Sequence, residues 1–220
     1  MFASTRAMPL FPTFCWVHDL PAEEAERLNR HLATAVEALI APRPALQPGQ
    51  IWQTSQDLHL RPEFAPLVQL IQAAGQGVVD YLKLVQRELE ITGCWANISP
   101  PGSPHAIHLH PNNLLSGVYY VKAAPGANAI EFYDPRAQAR VIAPKYSEGN
   151  LANSPQSSIE LAPGRLIVFP AWLEHGVPIN RSGQERMSIS FDLMTSDFTR
   201  KVSPPKWKGK GVNERRPPQA

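Results

Sequence analysis

The first ninety residues carry apolar positions at helical spacing. From Glu23 to about Ile40 these positions recur every three or four residues, which predicts an amphipathic helix that ends at the proline-rich segment APRPALQPGQ. A second helix is predicted over roughly 62–90, with an interruption near Gly75 and Gly77. A short strand is predicted within 10–20. We expect the two helices to cover one face of a sheet.

After residue 90 the helical spacing gives way to short apolar runs separated by Pro, Gly and Asn. This change predicts an all-β half of seven or eight short strands, arranged as a sandwich or jelly roll. The polar segment 136–156 is expected to be a long loop. The predicted strands are ITGCWANI, AIHLH, LSGVYYVK, AIEFYD, SIELA, RLIVFP and RMSISFDLM.

A chain of 220 residues is long enough for one sizeable core and too short for two full-sized domains. We expect a single domain over 1–200, with a helical cover over 20–90 and a jelly-roll core over 91–195. The segment 201–220 is rich in proline and holds six cations and one anion, a balance of +5 that leaves the rest of the chain at −3. It is predicted to be a disordered tail.

The remaining composition narrows the choice of partners and compartment. An acidic body argues against a nucleic-acid-binding surface within the fold. The two cysteines, Cys15 and Cys94, lack the close spacing of a redox pair or thiolate metal site, as expected for a reduced cytoplasmic protein. No window reaches the ~18 apolar residues of a membrane span, so we expect no membrane partner. The sequence leaves a homodimer open.

Histidines are the first candidates for chemistry. In PHAIHLHPNN, residues two apart on a strand face the same way, so His108 and His110 are expected on one face and His105 on the other. His175 follows at the end of GRLIVFPAWLEH, where its ring can project into the mouth of a barrel. Two histidines at strand spacing and a third at a strand end favour a metal site. A packing role is the alternative, and it is the favoured one for His105.

A second candidate group lies on the last predicted strand. In RMSISFDL the alternation places Arg186, Ser188 and Ser190 on one face. A buried guanidinium beside a hydroxyl is suited to gripping a carboxylate. The alternative is a surface arginine paired with Glu185 or Asp192.

These residues together resemble the non-haem iron(II), 2-oxoglutarate-dependent oxygenase superfamily, with its H-x-D/E…H…R-x-S signature on a double-stranded β-helix. A bacterial and phage subgroup of such oxygenases is the more specific resemblance. It is carried by two stretches, WANISPPGSPHAIHLHPNNLLSGVYYVKAAPGANAIEFYDPR and GRLIVFPAWLEHGVPIN. The resemblance runs from about Leu10 to Phe191. It implies a mainly β fold with N-terminal helices: a double-stranded β-helix, or cupin-like barrel.

For the metal, the resemblance implies that His108, His110 and His175 are catalytic residues that ligate Fe(II). The chain departs from the family pattern at His110, which stands where a carboxylate is usual. Three neutral imidazoles leave the site one unit more positive, which should change metal affinity and redox behaviour. Asp134 is a candidate nearby carboxylate, although a turn-forming Asp before Pro135 is the favoured interpretation.

For the cosubstrate, the resemblance implies that Arg186 anchors the distal carboxylate of 2-oxoglutarate and that Ser188 assists. Tyr120 matches a tyrosine that bonds this carboxylate in related prolyl hydroxylases. Since neighbours on a strand face opposite ways, only one of Tyr119 and Tyr120 should enter the barrel. Asn97 lies where members place a polar contact to cosubstrate or substrate.

The implied activity is an Fe(II)- and 2-oxoglutarate-dependent dioxygenase that uses molecular oxygen to hydroxylate an unactivated C–H bond. The substrate is expected to be a small molecule, an amino acid or a peptide. Position along the chain suggests that the loop 136–156, Trp172 and the residues near Gln53 and His59 form the substrate mouth.

Three alternatives remain. A metal-dependent cupin enzyme that does not use 2-oxoglutarate fits the similarity of 164–180 to the second cupin motif. Against it, Asn113, Leu114 and Leu115 stand where the cupin Glu is expected. A non-catalytic barrel that binds a small acid or a metal is the second alternative. A nucleic-acid substrate is the third, supported only by the basic tail.

Overall fold

A computed structural model describes residues 2–47, 49–124, 129–142 and 144–201. The helices are α1 (Ala22–Ile40), α2 (Ala65–Leu82) and α3 (Ser196–Lys201). The strands are β1 (Trp16–Asp19), β2 (Trp52–Gln53), β3 (Leu89–Ser99), β4 (His105–His108), β5 (Leu115–Lys122), β6 (Ala129–Tyr133), β7 (Gln156–Glu160), β8 (Arg165–Pro170), β9 (His175–Val177) and β10 (Arg186–Thr195).

Two antiparallel sheets form the β half. The larger has the order β1-β8-β5-β10-β3-β2 and the smaller β4-β9-β6-β7. Strands adjacent in these sheets are mostly distant in sequence, as in a jelly roll. The apolar residues between the sheets come from β5, β6, β8 and the turn after β8: Val118, Tyr120, Ile130, Phe132, Ile167, Phe169 and Leu173. The predicted mainly β fold with N-terminal helices is confirmed.

The helices α1 and α2 cover the other face of the larger sheet. Each directs one apolar stripe at the strands, with Leu32 and Val36 of α1 and Ile71 of α2 fully buried. Their partners come from alternate positions of β10, including Ile189. The hydroxyl of Tyr119 on β5 adds a polar contact, since it donates to Asn29 Oδ1 of α1 at 2.8 Å. The helical cover therefore holds the back of the larger sheet while its front faces the smaller sheet.

The second helix differs from its predicted bounds. It ends at Leu82 because Lys83 has a φ of 53°, a left-handed conformation, and its backbone N–H caps the last turn. The residues after Lys83 leave the helix, and β3 begins at Leu89. The predicted interruption near Gly75 and Gly77 is also wrong, since α2 is continuous. Gly75 serves close packing instead, because a Cβ there would be 2.9 Å from Leu193 Cδ1 of β10.

Other differences lie at strand ends. Only Trp16–Asp19 of the segment 10–20 is a strand, the part that pairs with β8. The short strands β2 and β9 were not predicted. The predicted tail lies outside the described residues except for Lys201, the last residue of α3. Among the described helices, none combines the length and apolar character needed to cross a membrane.

Gly117 on β5 leaves no room for a larger side chain. A Cβ at this position would be 2.7 Å from the carbonyl oxygen of Ile167 and would overlap the ring of Phe191. We predict that Gly117→Ala lowers the free energy of unfolding by about 1–3 kcal/mol, because buried overpacking forces the strands apart. Urea unfolding measures this. The exposed Gly77 of α2, with nothing within 4 Å of its Cβ position, is the control. Gly77→Ala should stabilise by up to about 1 kcal/mol, and equal losses in both variants would contradict the account.

Candidate metal centre

Three histidines meet at one end of the barrel. His108 and His175 lie directly opposite each other in the β4–β9 ladder. His110 lies two residues beyond the end of β4, where its backbone N–H donates to the carbonyl of Ala171 at 2.9 Å. One ring nitrogen from each histidine lies within 4.8 Å of the others, a spacing at which all three can bind one metal ion.

In His108 and His175, the hydrogen bond made by Nδ1 determines that Nε2 is the nitrogen available to a metal. Nδ1 of His108 is 2.8 Å from the carbonyl oxygen of Ala106, and Nδ1 of His175 is 2.8 Å from that of Leu173. A carbonyl oxygen can only accept, so both Nδ1 atoms carry the proton and both Nε2 atoms carry the lone pair. This is the usual arrangement of imidazole ligands around a metal.

Burial keeps the imidazoles of His108 and His175 neutral. Desolvation lowers the pKa of His175 to about 3, and it also lowers the pKa of His108. The neighbouring histidines lower both values further. Neutral rings near pH 7 are the form that binds a metal ion.

His105 lies elsewhere than predicted. Between His105 and His108 the ladder contains a β-bulge, since His105 pairs with Val177 and His108 with His175. The extra residue turns the His105 ring onto that of His108, with ring centroids 4.8 Å apart and planes 11° apart. The prediction that His105 faces the opposite side is therefore wrong. His105 is nevertheless outside the group of histidines that could hold a metal.

A carboxylate that the sequence analysis did not assign to the site lies beside it. Asp192 of β10 has Oδ2 3.1 Å and Oδ1 3.0 Å from Nδ1 of His110. The alternation of RMSISFDL already places Asp192 on the face of Arg186. Its contact with His110, however, joins residues 82 positions apart, and only the topology shows it.

The predicted carboxylate-binding residues line the same cavity as the histidines. Arg186, Ser188 and Tyr120 all do so, and Ser188 pairs with Tyr120 across the β10–β5 ladder. Arg186 is 2% exposed, and burial lowers the pKa of its guanidinium. The alternative of a surface arginine paired with Glu185 is wrong because Glu185 pairs with Arg43 at 2.6 Å. The low exposure of Arg186 also rules out the alternative of a surface arginine paired with Asp192, whose carboxylate contacts His110.

The two adjacent tyrosines separate as expected from strand alternation. The buried Tyr120 faces the interior of the barrel, while Tyr119 packs under the helices. Burial raises the pKa of Tyr120, and the nearby Arg186 opposes this rise. The Tyr120 hydroxyl therefore keeps its proton at neutral pH and can donate a hydrogen bond.

Asn97 is buried on β3 and is held by two hydrogen bonds. Its Nδ2 donates to Ser190 Oγ at 3.1 Å, and its Oδ1 accepts from Gln53 Nε2 at 2.9 Å. Ser188 lies opposite Asn97 in the β10–β3 ladder. The amide thus braces the strand that carries Ser188.

Asp134 adopts the turn-forming role. Its carboxylate accepts from the backbone N–H of Arg136 at 2.9 Å and from the Arg136 guanidinium at 2.8 Å and 3.0 Å. It is outside the histidine group. Of the residues expected to form the substrate mouth, 136–156, Trp172 and those near Gln53 and His59, none that the structure describes lines the cavity around the histidines.

A larger open groove, of about 530 Å³, lies on the outer side of the smaller sheet. It is lined by Glu131 and Tyr133, which alternate along β6 with the inward-facing Ile130 and Phe132. The groove adjoins the histidine cavity only through residues that line both: His105, Gly176 and Val177. The chemistry of the three imidazoles therefore belongs to the smaller, interior cavity.

The buried histidines predict a pH dependence of stability. The pKa of His175 is lowered to about 3 and that of His105 to about 4, so between these values and about 6.5 the unfolded chain binds protons that the folded chain does not. The free energy of unfolding of the metal-free protein should fall as pH drops from about 6.5 to about 4. Each histidine contributes at most about 1.4 kcal/mol per pH unit. His105→Gln should flatten this slope in urea unfolding, and an unchanged slope would contradict the assignment.

Comparisons with known proteins agree with this geometry. Residues 93–192 match a family described as "Putative 2OG-Fe(II) oxygenase", and this segment contains all three histidines and Arg186. No curated protein matches the chain. Among solved structures, a prolyl-4-hydroxylase from Pseudomonas putida is 16% identical with a TM-score of 0.56, over 83% of this chain and 92% of that chain.

Two further structures share the fold. The non-heme alpha ketoglutarate dependent epimerase SnoN from nogalamycin biosynthesis is 13% identical, with a TM-score of 0.61, over 83% of this chain and 78% of that chain. HygX from Streptomyces hygroscopicus, solved with nickel and 2-oxoglutarate, is 13% identical, with a TM-score of 0.56, over 84% and 83% of the two chains. The predicted double-stranded β-helix is confirmed by these neighbours.

The predicted cofactors, Fe(II) and 2-oxoglutarate, are confirmed by the family match together with a histidine group that could hold a metal. Molecular oxygen and an organic substrate follow as the partners of such an oxygenase. In sequence over residues 93–192, and in fold over most of its length, the chain resembles the non-haem Fe(II), 2-oxoglutarate-dependent oxygenases, a superfamily of oxidoreductases.

Proposed function

We propose that this protein is a dioxygenase that hydroxylates an unactivated C–H bond of a small-molecule, amino-acid or peptide substrate. One observation carries the proposal. A group of three imidazoles and a buried guanidinium, Arg186, line one interior cavity. The cavity thus offers a metal site and a carboxylate site together, which are the two requirements of this chemistry.

We assign His108, His110 and His175 as the Fe(II) ligands. Their rings lie 4.4–5.3 Å apart between centroids and converge on one point. Nδ1 of His108 and of His175 faces a backbone oxygen, so the protein orients these two rings before a metal binds. When bound there, iron(II) with 2-oxoglutarate supplies the oxidant that acts on the C–H bond.

We assign Arg186 as the anchor of the distal carboxylate of 2-oxoglutarate. A guanidinium that is 2% exposed loses most of its hydration, and a carboxylate compensates for this loss through paired charge-assisted hydrogen bonds. Ser188 and Tyr120 are paired across the β10–β5 ladder and line the same cavity, so their hydroxyls can donate to the same carboxylate. Asn97 contributes by fixing the backbone opposite Ser188.

The walls of the cavity are largely apolar, which suits an oxidation that must be shielded from water. Val118, Ile130 and Phe169 line it together with the histidines. Apolar walls exclude water from the reacting atoms and strengthen the electrostatic contacts of Arg186. The prolyl-4-hydroxylase neighbour supports hydroxylation of an amino-acid or peptide substrate by analogy of fold.

Removal of a histidine tests the metal site. We predict that His175→Ala weakens anaerobic Fe(II) or Co(II) binding more than about 100-fold, because loss of even an outer contact to a ligand costs about 10–100-fold. Isothermal titration calorimetry measures this affinity. The control is His18→Ala on the exposed strand β1, which should bind as the wild type does. Equal binding by wild type and His175→Ala would refute the assignment.

Removal of the guanidinium tests the cosubstrate site and the function. We predict that 2-oxoglutarate binds the anaerobic Fe(II) protein and that Arg186→Ala weakens this binding by roughly 100-fold, about 3 kcal/mol for a lost charged pair. Calorimetric titration measures both affinities. Arg136→Ala, which removes an exposed arginine of the long loop, is the control.

The same preparations decide between the candidate functions. Succinate release coupled to a product heavier by one oxygen atom supports hydroxylation, whereas a product of unchanged mass indicates another oxidation. Metal binding without 2-oxoglutarate binding points to the cupin alternative. Binding of both without turnover of any substrate points to the non-catalytic barrel.

A further inference from the structure

Asp192 is a buried carboxylate in direct contact with one of the three imidazoles, that of His110. Its side chain is 11% exposed, and both carboxylate oxygens lie 3.0–3.1 Å from Nδ1 of His110. Oδ2 accepts the hydrogen bond, and Oδ1, although 3.0 Å from the same nitrogen, accepts none from the described part of the chain. A carboxylate so placed is costly to bury unless a positive charge compensates for it.

The three histidines do not have equivalent partners. Nδ1 of His108 and of His175 faces a neutral backbone carbonyl, whereas Nδ1 of His110 faces a carboxylate. His110 is also the residue that stands where the superfamily usually has a carboxylate ligand. The ligand set of three histidines lacks this negative charge, but the carboxylate of Asp192 supplies one directly behind His110.

Packing holds the His110 ring in line with this carboxylate. The ring stacks on Trp95 of β3, with centroids 5.8 Å apart, and on His175, with centroids 5.3 Å apart and planes 9° apart. Asp192 itself is fixed by the ladder, where it pairs with Gly93 on β3 and Ser116 on β5. The ring cannot turn without breaking these contacts.

We propose that Asp192 is a positioning residue for the metal centre: it holds His110 with the proton on Nδ1 and the lone pair on Nε2, and it supplies the negative charge that the three-histidine ligand set lacks. The proposal rests on the proposed metal site. A carboxylate behind an imidazole ligand raises its basicity and fixes its tautomer. The buried Asp192 charge is balanced in turn by the positive charge of the bound metal.

The tautomer of His110 tests the proposal without a metal. In ¹⁵N-resolved NMR spectra of the metal-free protein, His110 should carry its proton on Nδ1. In Asp192→Asn the amide can either accept from Nδ1 or donate to it, so the proton is no longer held on Nδ1 and part of the His110 population should carry it on Nε2, where it blocks metal binding. A wild-type His110 protonated on Nε2, or the same tautomer in both proteins, would overturn the proposal. The wild-type measurement stands even if the variant does not fold.

Metal binding provides the second test. We predict that Asp192→Asn weakens Co(II) binding about 10–100-fold in calorimetry. The Fe(III)/Fe(II) potential should rise by at least about 59 mV, a tenfold change in relative affinity for the two ions. Thermal unfolding of the metal-free variant checks that its fold is intact. Unchanged affinity and potential in a folded variant would overturn the proposal.

Asp57→Asn is the matched control. The backbone of Asp57 forms an isolated β-bridge with Cys94, which lies on the same strand as Gly93. The Asp57 carboxylate contacts Ser55 and Arg61 rather than a metal ligand. Its replacement should leave the tautomer, the affinity and the potential unchanged. If wild-type protein binds no metal at all, the proposed function fails, while the His110 tautomer still decides the role of Asp192.

Discussion

The central strand β10 is the constraint on which the rest of the structure depends. It is hydrogen-bonded to β3 on one side and to β5 on the other, and its side chains alternate between two environments. Ile189 and the other residues of its back face pack under the helices, while Arg186 and Asp192 lie on the front face, inside the barrel. A shift by one residue would exchange these faces, burying charges in the apolar core and removing them from the cavity. The register of one strand thus fixes both the core and the site.

The charges of the site follow from this register. Arg186 at one end of β10 brings a buried positive charge, and Asp192 near the other end brings a buried negative charge. Burial lowers the pKa of His108 and His175, which keeps these two imidazoles neutral at neutral pH, while His110 contacts Asp192. An anionic cosubstrate and a cationic metal would each meet an opposite charge in the protein. The preference for an anionic cosubstrate and a cationic metal therefore depends on where β10 places the side chains of Arg186 and Asp192.

Much of this arrangement could be predicted from the sequence because it depends on local pattern. Runs rich in valine, isoleucine and tyrosine between Gly and Pro residues predict strands well, and the bounds of β5 and β8 match the predicted runs LSGVYYVK and RLIVFP. Alternation also separates Tyr119 from Tyr120 and places Arg186 in the barrel.

The errors lie where pairing between distant segments decides the outcome. The orientation of His105 depends on a bulge that exists only relative to β9. The role of Asp192 depends on a partner 82 residues away. The end of α2 depends on a left-handed Lys83, a residue type that carries no strong signal for that conformation.

The central claim is that one metal ion is held by three imidazoles, with the carboxylate of Asp192 behind a ligand rather than on the metal. X-ray absorption spectroscopy of the anaerobic Fe(II) protein, with and without 2-oxoglutarate, tests it most directly. The account predicts scattering from three imidazole rings in both samples, with added oxygen ligands when 2-oxoglutarate binds. Two imidazoles together with a protein carboxylate on the iron would contradict it.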